Sequence, residues 1–104
     1  MDNSRYDGKP LLRLLELYVL KALGELPALE EETLAKLAPK LQTIYGGDGT
    51  WHGAIEAAVR MPADMPGQIR ELWTQNLQIA QAKNVPALSA QQFAELFVDE
   101  NLTT

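Results

Sequence analysis

Apolar residues recur at intervals of three and four along most of the chain, and no segment alternates apolar with polar positions as a half-buried strand does. Glycine and proline separate the periodic segments near residues 24–27, 46–49, 62–66 and 86. The pattern therefore predicts an all-α fold, a single compact bundle of about five helices. We expect one domain over residues 1–104, with 1–8 and 101–104 frayed at its ends.

The first predicted helix covers residues 10–23, because proline suits a first turn and Gly24 suits the left-handed position after the last turn. Its apolar residues extend over more than half of the helical circumference, which predicts a central helix buried by several neighbours. An alternative interpretation gives the same helix a homodimer seam as well. The remaining positions are Arg13, Glu16 and Lys21, with Leu20 as an apolar outlier among them.

The second predicted helix begins near residue 27, at "PALEEE", where three glutamates at 30–32 favour a helix start through the helix dipole. Its apolar residues repeat at three, four and three positions, so we expect them to face the interior. Pro39 lies inside this pattern, where it removes one backbone hydrogen bond and clashes with the preceding turn. We expect a kink at Pro39, or two short helices that share one buried face. The expected inward residues are Leu34, Leu37, Leu41 and Ile44.

The fourth predicted helix begins after Asp64, its expected N-cap, and ends at "KNVP", where Asn84 tolerates a left-handed conformation. Asn76 falls inside the apolar stripe of this helix. We expect its amide to pair with a neighbouring loop or to lie at a rim, and the alternative is that it anchors a ligand. The stripe consists of Ile69, Leu72, Trp73, Leu77 and Ala80.

The fifth predicted helix starts at Ser89, which fits a capping box with Gln92. Acidic residues of this helix are expected to face water, namely Glu95, Asp99 and Glu100. The expected inward residues are Phe93, Leu96 and Phe97, with Val98 beside them.

The segment 43–53, "TIYGGDGTWHG", holds four of the seven glycines, the single histidine and one of the two tryptophans. A phosphate cradle would need a preceding strand and a following lysine, and Asp48 is negative where a phosphate would sit. A metal site is disfavoured because Asp48, His52 and Glu56 include only one imidazole. The pattern is best explained as a turn between two helices, in which Thr50 caps the third helix.

The composition excludes several classes of function. Without cysteine there is no disulfide framework, no thiolate zinc site and no cysteine nucleophile. The net charge of −5, with nine Lys and Arg scattered singly, disfavours binding to nucleic acid or to an anionic membrane. No signal-like or membrane-spanning apolar run is present, so we expect a cytoplasmic protein, and its short chain is typical of bacteria.

We expect a non-enzymatic interaction or regulatory domain, without cofactor or metal, that binds a protein partner through an apolar surface near the third helix and two Met-Pro turns. One alternative is an enzyme or small-ligand binder centred on His52 and Glu56, with His52 as the general base. Another is a DNA-binding helix-turn-helix, although the fourth helix offers few basic residues. The expected partner-binding residues are Tyr45, Trp51, His52, Met61 and Met65.

Overall fold

The structure, a computed structural model, describes residues 10–62 and 64–102. Over these residues the chain forms five α-helices and no strand, which confirms the predicted all-α class. The fraying expected at residues 1–8 and at 103–104 falls outside the described residues, whereas Asn101 still belongs to the last helix. The helices are α1 (Pro10–Leu23), α2 (Ala28–Tyr45), α3 (Trp51–Val59), α4 (Met65–Ala82) and α5 (Ala90–Asn101).

Residue contacts divide the chain into two units. The first unit consists of two chain segments, one up to Glu25 and one from Pro66 onward. In this unit α1 packs against α5. In the same unit the Trp73 ring of α4 meets the Phe93 ring of α5 edge to face, with 5.2 Å between the ring centroids. In the second unit, Leu26–Met65, α2 packs against α3. The expectation of one domain over residues 1–104 stays a prediction.

Local signals set several helix ends as the sequence predicts. Gly24 follows α1 with a φ of 75°, and Asn84 follows α4 with a φ of 54°. Both residues therefore take the left-handed conformation that ends a helix. At the start of α5, Ser89 and Gln92 form a complete capping box, which satisfies two backbone N–H groups at once.

The buried row of α2 is narrower than the sequence predicts. Leu34, Ala38 and Leu41 are buried, but Leu37 is 40% exposed and Ile44 is 58% exposed. Because consecutive helical residues are about 100° apart, Leu37 and Ile44 lie together on one flank of the buried row. The prediction that these two residues face inward is wrong. The helix is continuous through residue 39, so it is not two short helices, and the kink expected there stays a prediction.

The interior face of α1 is wider than the sequence predicts. Glu16 and Leu20, both placed on the polar side by the sequence, are buried. A buried carboxylate needs hydrogen-bond donors, and the Gln91 side chain of α5 provides one, 3.1 Å from Glu16 Oε1. The periodicity of α1 alone could not reveal this donor, because it comes from a helix 75 residues further along the chain.

The outer helices of the first unit bury only part of their predicted stripes. In α4, Ile69 and Ala80 are buried, whereas Leu72 and Leu77 are exposed on the two flanks of that row. In α5, Leu96 is 47% exposed, and the residues that do face inward are Phe93, Ala94, Phe97 and Val98. The prediction of inward positions for Leu72, Leu77 and Leu96 is therefore wrong. A helix at the edge buries its central row and leaves the flanks in water.

Candidate functional site

The loop between α2 and α3 is built from glycines in conformations that other residues rarely adopt. Gly46, Gly47 and Gly49 have φ values of 92°, 106° and 96°. Gly46 ends α2, and its N–H donates to the Gln42 carbonyl at 2.8 Å. The turn predicted between two helices is therefore present, and it uses positive φ at three positions.

Two of the glycines allow the loop to approach the first turn of α3 closely. A Cβ on Gly47 would lie 2.7 Å from the backbone nitrogen of Ala54, closer than such atoms can come. A Cβ on Gly53 would collide with the side chain of Asp48 and lie 2.7 Å from Thr50 Oγ1. Gly47 thus lets backbone pack on backbone, and Gly53 leaves room for the side chains of Asp48 and Thr50.

Asp48 and Thr50 form the cap of α3. Thr50 Oγ1 accepts a hydrogen bond from the Gly53 N–H at 3.0 Å, as the sequence predicts for an N-cap. The Thr50 hydroxyl and the Thr50 N–H both donate to Asp48 Oδ1, the latter at 3.1 Å. These hydrogen bonds, first that of the hydroxyl, lower the pKa of the exposed Asp48 carboxyl, and His52 contributes a smaller electrostatic effect.

The two residues after the cap have different surroundings. Trp51 is buried, and its ring meets that of His52 edge to face, with 5.7 Å between the centroids. His52 is partly exposed, but its Nδ1 atom is buried and has no hydrogen-bond partner among the described residues. A buried polar atom without a partner is uncommon in native proteins, which marks His52 as the unusual side chain of this segment.

The five residues predicted to bind a partner separate into two groups. Trp51 and Met65 are buried, so their side chains offer almost no surface to another molecule. Tyr45, His52 and Met61 each keep part of their surface exposed. These three residues lie at the end of α2, the start of α3 and the segment after α3. About 10 Å of helix runs from His52 to the last residue of α3, and Met61 lies two residues beyond it.

The C-terminal end of α3 has a backbone conformation that the sequence does not predict. Arg60 has a φ of 53°, a left-handed conformation that is rare outside glycine, asparagine and aspartate. The N–H groups of Arg60 and Met61 both donate to the Glu56 carbonyl, the latter at 3.0 Å. This double hydrogen bond ends the helix and sets the direction in which Met61 leaves it.

Only some of the side chains that a metal or catalytic site requires lie together around α3. Asp48 was a candidate metal ligand in the sequence, but its carboxylate accepts hydrogen bonds from Thr50 instead. Within the described residues no three carboxylate or imidazole groups are placed to hold a metal ion. Glu56 lies one turn after His52 on α3, the relation that the general-base hypothesis requires.

Two polar features lie outside this segment, both in the unit that contains α1, α4 and α5. Asn76 is partly exposed, and its Nδ2 atom is buried without a hydrogen-bond partner among the described residues, so this donor lacks the expected pairing, and the alternative position at a rim stays a prediction. The second feature joins α1 to α5. Gln91 Nε2 donates to Glu16 at 3.1 Å and to Glu95 at 2.9 Å, and its Oε1 accepts from Arg13 at 3.4 Å.

No family model, curated protein or solved structure matches the chain. Of the helices in residues 10–62 and 64–102, none combines the length and the hydrophobicity that crossing a membrane requires. What this chain does must therefore be inferred from the geometry of its own residues.

Proposed function

We propose that the chain is a non-enzymatic cytoplasmic interaction domain that binds a protein partner at the surface around α3, through Tyr45, His52 and Met61. Trp51 and Met65 belong to the same region but are buried, so their role is to hold the elements that carry the contact residues. Binding at this surface needs no cofactor, metal ion or nucleic acid.

The observation that carries this proposal is the partial exposure of Tyr45, His52 and Met61 around one short helix. Tyrosine and methionine are enriched at protein interfaces, tyrosine for its large amphipathic ring and methionine for its adaptable shape. His52 adds a polar group with an unmet hydrogen bond. A half-turn of its ring about the Cβ–Cγ bond exchanges Nδ1 with Cδ2, which would present the nitrogen to a partner.

The unmet hydrogen bond of His52 also favours a second candidate function, binding of a small ligand or catalysis by His52 and Glu56. In that case a small molecule would satisfy the imidazole, and Glu56 would orient the ring from one turn away. A screen of small molecules by melting temperature separates the two candidates. A ligand that raises the melting temperature of the wild type but not of His52→Ala would favour the second.

A photo-reactive amino acid incorporated into this chain, in the cells that naturally produce it, tests the proposed surface directly. We expect variants with the reactive residue at position 52 or 61 to form a covalent adduct with the same partner protein. The control carries the reactive residue at Gln78, an exposed residue of α4, and should not form that adduct. Equal adducts from positions 61 and 78, or none from 52 and 61, would contradict the proposal.

A further inference from the structure

Five apolar side chains that the sequence places inside the protein are exposed, and three of them lie on α2 and α5. Leu37 and Ile44 are exposed on α2, and Leu96 is exposed on α5. Single exposed leucines are common on protein surfaces and need no explanation. These three differ because each stands beside charged residues of one sign, positive on α2 and negative on α5.

On α2, the exposed row runs along almost the whole helix, and we call it the α2 outer face. It contains Leu29, which is 78% exposed, and Leu37 and Ile44. Between them lies Thr33, whose hydroxyl donates to the Leu29 carbonyl at 3.0 Å and is thereby satisfied within the helix. The full set is Leu29, Thr33, Lys36, Leu37, Lys40 and Ile44.

The two charged residues of the α2 outer face are lysines, and the exposed Glu32 lies beside the first of them. Lys36 and Glu32 form a loose, exposed ion pair at 3.7 Å, which contributes little because water screens it. Lys40 is exposed and has no ion-pair partner among the described residues. In a chain with a net charge of −5, two lysines one turn apart form a local positive patch that a partner with carboxylates would fit.

The chain itself carries a complementary surface, which we call the α5 outer face. It consists of Leu96, Asp99 and Glu100, all of them exposed. Leu96 precedes the two acids by three and four residues, and Leu37 precedes Lys40 by three. An apolar residue and its neighbouring charges therefore lie within one helical turn, about 5 Å, on both faces.

We propose that the α2 outer face of one copy of this chain binds the α5 outer face of a second copy. Leu96 packs between Leu37 and Ile44, and the two carboxylates of α5 then lie opposite Lys36 and Lys40. The contact is independent of the proposed partner surface around α3, since it uses none of its residues.

The proposed contact differs from the homodimer seam that the sequence suggested on the first helix. The apolar residues of α1 that would form such a seam are for the most part buried within the chain, Leu15 and Val19 almost completely. The α2–α5 contact joins two different surfaces, so each copy offers one face of each kind. A variant that reverses the charge of one face should therefore associate weakly with itself but strongly with a variant that reverses the other face.

Two charge-reversed variants test the proposal, K36E/K40E for the α2 outer face and D99K/E100K for the α5 outer face. Each places like charges opposite one another in a contact between identical copies. We expect sedimentation equilibrium to give an association constant at least about tenfold lower for each variant alone than for the wild type. Mixed in equal amounts, the two variants again carry opposite charges at both contacts, so association should return to the wild-type level.

The control is Lys83→Glu, which makes the same change as Lys40→Glu at an exposed lysine after α4 and should leave the association constant unchanged. If circular dichroism shows that a double variant loses helix, the single substitutions Lys40→Glu and Glu100→Lys replace it. A wild type that stays monomeric up to about 1 mM overturns the proposal. So does a mixture that associates no better than its components, or binding of the α2 face to vesicles of anionic phospholipid without self-association.

Discussion

Gly46 and Gly47 are neighbours with similar φ values, but only Gly47 lies against other atoms. Ala at either position would have to adopt a positive φ, which at Gly46 is combined with a ψ of −155°, and such conformations cost on the order of 1–3 kcal/mol outside glycine. At Gly47 the new methyl group would also collide with the backbone at Ala54, and nothing lies within 4 Å of a Cβ at Gly46. The loop and α3 therefore depend on Gly47 more than on Gly46.

We predict that Gly47→Ala lowers the free energy of unfolding by about 1–3 kcal/mol more than Gly46→Ala does, because overpacking adds to the backbone strain. Urea denaturation of the two variants and the wild type measures the difference. Equal losses would mean that the loop does not approach α3 as closely as the structure describes.

The Asp48 carboxyl gives the same loop a dependence on pH. Hydrogen bonds from Thr50 hold its pKa below the ordinary value of 3.8 in the folded chain, so the unfolded chain binds this proton more readily. The stabilisation is fully present above about pH 4 and is lost as the pH falls through the lower, folded pKa. We predict that wild type and Asp48→Asn differ most in unfolding free energy above that pH, and converge below it.

Thermal or urea unfolding between about pH 6 and pH 2.5 measures this convergence. Asn cannot lose a charge over that range, so it serves as the reference. A difference that stays constant with pH would show that the carboxylate does not stabilise the cap.

At the scale of the elements, the sequence predicts the helices and their ends better than it predicts their faces. Gly24 and Ser89 are local signals, since each acts on atoms within a few residues of itself. The faces of Leu37 and Leu96 could not be predicted in this way. Which flank of a helix is covered depends on the neighbour that packs against it, and periodicity does not contain that information.

The candidate site shows the same limit. Thr50 as N-cap followed from residue type and position, and the positive φ at Gly46 or Gly47 followed from the end of a helix. The left-handed Arg60 and the unpaired Nδ1 of His52 did not follow, because arginine gives no turn signal and an unpaired atom depends on all surrounding residues.

The polar link between α1 and α5 supports a prediction about packing. Glu16 is fully buried and accepts from Gln91, so each side chain is the other's hydrogen-bond partner. We predict that Glu16→Ala and Gln91→Ala each lower the unfolding free energy by about 1–3 kcal/mol, since each removes this hydrogen bond from a linked polar group that also includes Arg13 and Glu95. The double variant should lose about 1 kcal/mol less than the sum of the two.

A double-mutant cycle measured by denaturant unfolding gives this coupling. The conservative variant Glu16→Gln is the control, because its amide oxygen can still accept from Gln91. Strict additivity of the two alanine variants would show that the hydrogen bond contributes nothing to the packing of α1 on α5.

At the scale of the whole molecule, burial and charge together divide the apolar residues into two sets. One set, which includes Leu34 and Leu41, is covered by the chain itself. The other, which includes Leu37, Ile44 and Leu96, stands outside the covered rows beside charges of one sign. We interpret the second set as surface that another copy covers, and the partly exposed residues around α3 as surface for a different protein.

Methyl NMR with a soluble paramagnetic probe tests this division most directly, because the probe broadens only the signals of methyl groups that solvent reaches. In dilute protein we predict strong broadening at Leu37, Ile44 and Leu96, with Leu34 and Leu41 protected. As the protein concentration rises, the first three should become protected while the others do not change. Protection of Leu37, Ile44 and Leu96 already in dilute protein would contradict the account.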